Sequence, residues 1–143
     1  MNNNKKVFTD IHGLELLVSY RKSAIIFELG NDINKNQQYF EFIFNIEIFK
    51  ELFDYLMDAA GKAWSEIQLK ECNSLGSDYM EYYDKKLDNN GYLHLFKNKL
   101  ELERVDPYNN KLYQFNKVKI QSFLYDFKKI LESCIIRGEL NKI

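Results

Sequence analysis

Six short apolar-rich runs with a period of two recur along the chain, and twice such a run passes through a single asparagine into apolar residues spaced by three and four. The runs are Leu14–Arg21 (LELLVSYR), Ala24–Leu29 (AIIFEL), Tyr39–Phe44 (YFEFIF), Tyr92–Phe96 (YLHLF), Lys99–Val105 (KLELERV) and Lys111–Phe115 (KLYQF). Bounded as they are by Gly, Asn, Asp, Ser and Pro, they predict strands. Arg21-Lys22-Ser23 joins the first two as a hairpin, residues 30–36 form a polar loop, and Lys97-Asn98 and Asp106–Asn110 join the last three as a meander. In Tyr39–Phe44 the alternation sets Tyr39, Glu41 and Ile43 on one face and Phe40, Phe42 and Phe44 on the other. One of these faces must meet a core.

Asn45 and Asn116 stand where an N-cap belongs, each with an amide oxygen able to accept from the free N–H groups of a first helical turn. After Asn45, the residues Phe49, Leu52, Phe53, Leu56, Met57, Ala60, Ala63, Trp64 and Ile67 form one stripe, with Glu47, Lys50, Glu51, Asp54, Asp58 and Lys62 outside it. After Asn116, the stripe is Ile120, Phe123, Leu124, Phe127, Ile130, Leu131, Cys134 and Ile135. Gly61 weakens the first helix without ending it.

The resulting order is β-β-β-α, a connector over residues 70–90, and β-β-β-α again. Laying the first helix on the second sets Ile48 on Ile120, Leu52 on Leu124 and Asp54 on Asp126, so the halves 8–69 and 91–137 read as a pseudo-repeat within one domain spanning 1–143. The expected class is α+β, antiparallel sheet with two long amphipathic helices against it. Residues 1–6 and those after Gly138 are expected to fray, and Asp78–Lys86 to form a short helix, because so long a connector usually carries structure of its own.

Composition sharpens this picture at three points. With 143 residues, 45% of them hydrophobic and 15% aromatic, the chain can bury a core without disulfides or metals. The formal net charge of −1 denies it the cationic surface that phosphate binding favours. No apolar run approaches the roughly 18 residues of a membrane span, and none follows Lys5 and Lys6 as in a signal peptide, so a cytoplasmic protein is expected. The abundance of Asn, Lys, Ile, Phe and Tyr is the usage of an AT-rich genome and points to a bacterial, phage or mobile-element source.

Candidate chemistry is sparse. His12 and His94 lack a nucleophile or metal partner in sequence, and Cys72 and Cys134 have no ligand spacing, so neither catalysis nor a cofactor or metal is expected. Glu101 and Glu103 share a strand face, as the alternation with Leu100 and Leu102 requires of a solvated sheet. Lys97, Lys99, Arg104, Lys111, Lys117, Lys119, Lys128, Lys129 and Arg137, interleaved with Tyr92, Phe96, Tyr108 and Tyr113, make a basic track with rings of the kind that holds single-stranded nucleic acid. The connector sets Tyr79, Tyr82 and Tyr83 beside Asp78, Glu81 and Asp84, rings and carboxylates together, as on a surface that docks on a basic protein site.

The repeat of YFEFIFN leading into IEIFKELFDYL and KLYQFN leading into KVKIQSFLYDF resembles the Whirly family of single-stranded DNA-binding proteins. The small, near-neutral, motif-free α+β character is also similar to that of immunity proteins of bacterial contact-dependent and polymorphic toxin systems, some of which adopt Whirly-like folds. The likeness spans Leu14 to Ile136. The immunity resemblance implies a stoichiometric inhibitor that occludes the active site of a cognate toxin, often a nuclease, without catalysis. Its candidate partner-binding residues are Asp78, Tyr79, Glu81, Tyr82 and Asp84 first, then Glu101 and Glu103. The Whirly resemblance implies the alternative, single-stranded nucleic-acid binding through the second sheet, although a lysine-rich signature like that family's is absent.

Overall fold

Both asparagines cap as their positions require. In the computed structural model, which describes residues 4–30, 37–81 and 90–140, Asn45 Oδ1 accepts from the Ile48 N–H and Asn116 Oδ1 from the Lys119 N–H, each at 2.8 Å. Strands β1 (Lys5–Thr9), β2 (Glu15–Arg21), β3 (Ala24–Leu29) and β4 (Tyr39–Ile43) lead into helix α1 (Ile46–Ala63). A 3-10 turn (Leu75–Ser77) follows, then β5 (Gly91–Phe96), β6 (Lys99–Arg104), β7 (Lys111–Phe115) and helix α2 (Lys117–Ile136). The fold is α+β, with two antiparallel sheets and two helices. Among the described residues no helix is long and apolar enough to cross a membrane.

One sheet has the order β1-β2-β3-β7 and the other β4-β6-β5. The strand before each helix therefore pairs in the sheet built by the other half: Phe115 and Tyr113 of β7 face Ile25 and Phe27 of β3, while Phe40 and Phe42 of β4 face Leu102 and Leu100 of β6. The two strand-strand-strand-helix units are thus interleaved, and the first carries an additional strand, β1. A register shift at Phe27/Glu28 turns both Leu112 and Tyr113 inward, which simple alternation forbids.

Four expectations are corrected. The last three strands are no meander, because β7 pairs with β3 and not with β6. After Gly138 the Glu139 N–H donates to the Cys134 carbonyl at 2.8 Å and Leu140 packs on the core. Lys5 and Lys6 do not fray; they pair with Ser19 and Val18 of β2. Phe8 anchors this strand, buried at 2% exposure and meeting the Tyr55 ring edge-on at 5.8 Å, and lysines suit the sheet edge it occupies. Helix α1 stops at Ala63, short of Ile67. There the Ser23 N–H of the β2–β3 turn takes the Ala63 carbonyl at 2.9 Å, and Trp64 departs in extended backbone. Trp64 and Ile67 still pack on the core from the extended chain.

The core lies between the sheets and the two helices. Phe127 of α2 stacks on Phe49 of α1 at 4.5 Å and lies 5.2 Å from Phe53, and Phe123 meets Phe27 and Phe115 of the first sheet. Each such ring contributes on the order of 1.5–3 kcal/mol by burial. The first turns of α2 are covered on their polar side as well. Lys119, Gln121 and Ser122 are buried because the segment after α1 lies over them: Gln121 Oε1 accepts from the Gln68 N–H at 3.0 Å, and Ser122 Oγ donates to the Ser77 carbonyl.

The sheets are tied at one end by Asp10. Its carboxylate accepts from the His12 and Leu14 N–H groups at 2.9 Å and from the Ile43 N–H at 3.0 Å, so the β1–β2 turn holds the end of β4.

Candidate functional site

Alternation along the second sheet sends Phe40, Phe42, Leu93, Leu100 and Leu102 inward, all at 0% exposure. The opposite set must then point out. Register arranges it in three cross-strand rows: Tyr39–Glu103–Tyr92, Glu41–Glu101–His94 and Ile43–Lys99–Phe96. Tyr39, Tyr92 and Phe96 are 41–48% exposed, an unusual concentration of rings on a solvent face.

Electrostatics divide this face. Lys99 Nζ bridges Glu41 and Glu101 at 3.3 Å each and lies 4.8 Å from the Phe96 ring, while His94 stacks on Phe96 at 6.4 Å. Hydrogen bonding to Glu41, then to Glu101, holds the Lys99 ammonium above its ordinary pKa. Among the described residues, three carboxylates against one ammonium give these three rows a net formal charge of two negatives. Desolvation, followed by a hydrogen bond with Glu101 and the nearby Glu101 and Glu41 charges, raises the Tyr39 hydroxyl above its usual value. Tyr39, Tyr92, His94, Glu101 and Glu103 line an open depression of ≈ 270 Å³. Among the described residues no group of three or more His, Cys, Asp or Glu side chains is placed to hold a metal ion.

The connector residues are placed differently. Tyr79 is buried at 6% exposure, edge-on to Phe123 at 5.1 Å, and its hydroxyl donates to Asp126 Oδ2 at 2.6 Å. Burial first, and then the hydrogen bond and charge of Asp126, push its pKa far up. Glu81 pairs with Lys119 at 3.1 Å and accepts from the Asn90 amide, while the Asp78 carboxylate accepts from the Met80 N–H at 2.9 Å. Asp78 closes the 3-10 turn in extended backbone. Tyr82 and Asp84 lie outside the described residues, as does most of the short helix expected over Asp78–Lys86. The structure therefore brings Glu101 and Glu103 together on an open face and turns Tyr79 and Glu81 toward α2.

Four members of the basic track, Lys97, Lys99, Arg104 and Lys119, are engaged within the chain. Arg104 is buried at 2% exposure, donating from Nε to the Gln37 carbonyl at 2.9 Å and from its terminal nitrogen to the Asn109 carbonyl at 3.0 Å. Lys97 pairs with Glu139, Lys119 with Glu81, and Lys99 with the two glutamates of the sheet face.

Sequence reasoning found Glu101 and Glu103 but not Tyr39, Glu41, Tyr92 and His94 as their neighbours. The alternation separates Tyr39, Glu41 and Ile43 from Phe40, Phe42 and Phe44 without deciding which set is outward. What it lacked was the pairing of β4 with β6, which alone brings Tyr39 beside Glu103. Comparison with known proteins returns no match: no family model, no curated protein and no solved structure is significantly similar to this chain.

Proposed function

We propose that the protein is a non-enzymatic inhibitor of the immunity kind, which neutralises a cognate toxin by covering its active site with the outer face of β4, β6 and β5. The observation that carries this reading is the union, on one open sheet face, of three partly exposed rings with three carboxylates. Tyr and Phe rings supply large contact area and serve as anchors, and carboxylates complement a cationic cleft such as one that holds nucleic acid in a nuclease. Packing of Phe40, Phe42, Leu93, Leu100 and Leu102 beneath the face keeps it in place before a partner arrives, which lowers the ordering cost of association. The same charge repels phosphate, so the alternative, single-stranded nucleic-acid binding, has to use another surface.

The test is capture from native lysate after nuclease treatment, comparing wild type with the E41K/E101K/E103K variant, each checked for fold by circular dichroism. Support takes the form of one protein whose toxicity is suppressed by wild type and not by the variant. Recovery of nucleic acid alone, lost as salt rises, overturns the reading in favour of its alternative. A toxin suppressed equally by both proteins removes the sheet face from the account.

A further inference from the structure

Glu103 is the middle residue of the row Tyr39–Glu103–Tyr92, and Glu101 is the middle residue of the next row. Adjacent strands lie about 4.8 Å apart and residues two apart on a strand about 7 Å apart. The two tyrosines therefore flank Glu103 on either side, and the Glu101 carboxylate reaches the same space from below. That space is the open depression of ≈ 270 Å³. Its charge is unequally compensated: Lys99 serves Glu41 and Glu101, whereas Glu103, farther along the strand, has no ion pair among the described residues.

We propose that this depression seats an arginine side chain of the partner, its guanidinium forked onto Glu103, reaching Glu101, and lying against the rings of Tyr39 and Tyr92. The inference rests on the docking reading above and names what that face recognises. Arginine fits better than lysine for three reasons. Its planar fork offers two parallel donors to a carboxylate. Its flat faces stack on aromatic rings. It is more weakly hydrated than an ammonium, so it leaves water for a half-apolar site at lower cost. A lysine would satisfy only the charge.

Isotope-labelled full chain titrated with acetyl-Arg-Arg-Arg-amide, the lysine analogue and the citrulline analogue, read by amide chemical shifts, tests this directly. Saturable shifts confined to Tyr39, Tyr92, His94, Glu101 and Glu103 are expected with the arginine peptide. Its affinity should exceed that of the lysine peptide about fivefold, with no saturation by citrulline. Glu103→Gln should weaken arginine binding about tenfold while the remaining spectrum stays unchanged, as removal of one charge-assisted pair implies. Equal affinity for arginine and lysine, shifts scattered elsewhere, or an unchanged titration in Glu103→Gln overturns the inference. If those failures occur while toxin suppression still depends on the face carboxylates, the docking reading stands without the arginine seat. A toxin indifferent to charge reversal of the face removes both.

Discussion

The Tyr79 hydroxyl donates to Asp126 Oδ2 at 2.6 Å, tying the chain after α1 to the middle of α2. Both ends of this bond matter, because the ring itself is buried against Phe123. Tyr79→Phe keeps the ring and leaves the carboxylate without that donor, so a loss of about 1–2 kcal/mol is expected in urea unfolding. Asp126→Asn keeps an acceptor and should lose less. Combining Tyr79→Phe with Asp126→Ala should cost less than the sum of the two single changes, since both remove the same bond. Full additivity would show that the two groups do not act as a pair.

Tyr79 also shows what the sequence concealed. A cluster of tyrosines and carboxylates reads the same whether its rings face a partner or the chain's own core, and only the approach of α2 turns Tyr79 inward. Lys119, Gln121 and Ser122 were equally hidden: helical spacing puts them outside the stripe, yet the segment over residues 68–81 covers them and supplies their partners. Local features were legible, because an N-cap at Asn45 or a turn at Asn98 is decided within a few residues. Strand partnership is not decided locally. That β4 chooses β6 rather than a neighbour in its own half follows from Phe40 and Phe42 finding Leu102 and Leu100 across the sheet. For the same reason Glu101 and Glu103 were recognisable as one outward face, whereas their flanking rings were not.

Alkaline stability should be governed in part by two buried hydroxyls. Tyr113 is fully buried and donates to the Tyr79 carbonyl. Desolvation first, then the Glu81 and Asp78 charges, raise its pKa far above the ordinary 10.0, as burial and Asp126 do for Tyr79. A raised native value means that the folded chain keeps protons which the unfolded chain releases above pH 10. The stabilisation is therefore whole below that pH and is lost as the pH climbs toward the native values. The expected fall is up to about 1.4 kcal/mol per pH unit for each tyrosine. Urea midpoints measured from about pH 9 to about pH 11.5 should show a shallower decline in Tyr113→Phe than in wild type. Parallel slopes would mean that Tyr113 ionises alike in both states.

Gly91 is required by closeness rather than by backbone conformation. A Cβ built there would stand 2.2 Å from the Glu103 carbonyl oxygen, a backbone atom that cannot swing away. Gly91→Ala must therefore push β5 from β6 at the Gly91–Arg104 pair, next to the pair of Tyr92 and Glu103. A destabilisation of about 1–3 kcal/mol is expected in thermal or urea unfolding. The shift should be accompanied by altered amide signals at Tyr92 and Glu103, because the outer sheet face is displaced with the strand. Wild-type stability in this variant would contradict the strand spacing described for β5 and β6.

Arg104 stands opposite Gly91 across the β5–β6 pair and closes the same end of the sheet. Its guanidinium satisfies the Gln37 and Asn109 carbonyls and lies 5.1 Å from the Phe40 ring, linking the chain before β4, the turn after β6 and the core. Arg104→Met retains much of the apolar stem but strands two carbonyl acceptors, and each buried acceptor left unmade costs about 1–3 kcal/mol. Arg104→Lys restores the charge without the fork, so it should recover only part of the loss. Stability should thus rank wild type, lysine, methionine in denaturant unfolding. Loosening should also reach the outer face of this sheet, because Arg104 follows Glu103 on β6 and its N–H donates to the Gln38 carbonyl at 2.8 Å, beside Tyr39. Hydrogen exchange at Tyr39 and Glu103 is therefore expected to accelerate in Arg104→Met more than exchange at Phe8 or Leu16 in the other sheet. Uniform acceleration across both sheets would instead mark Arg104 as a general core residue with no particular hold on β4.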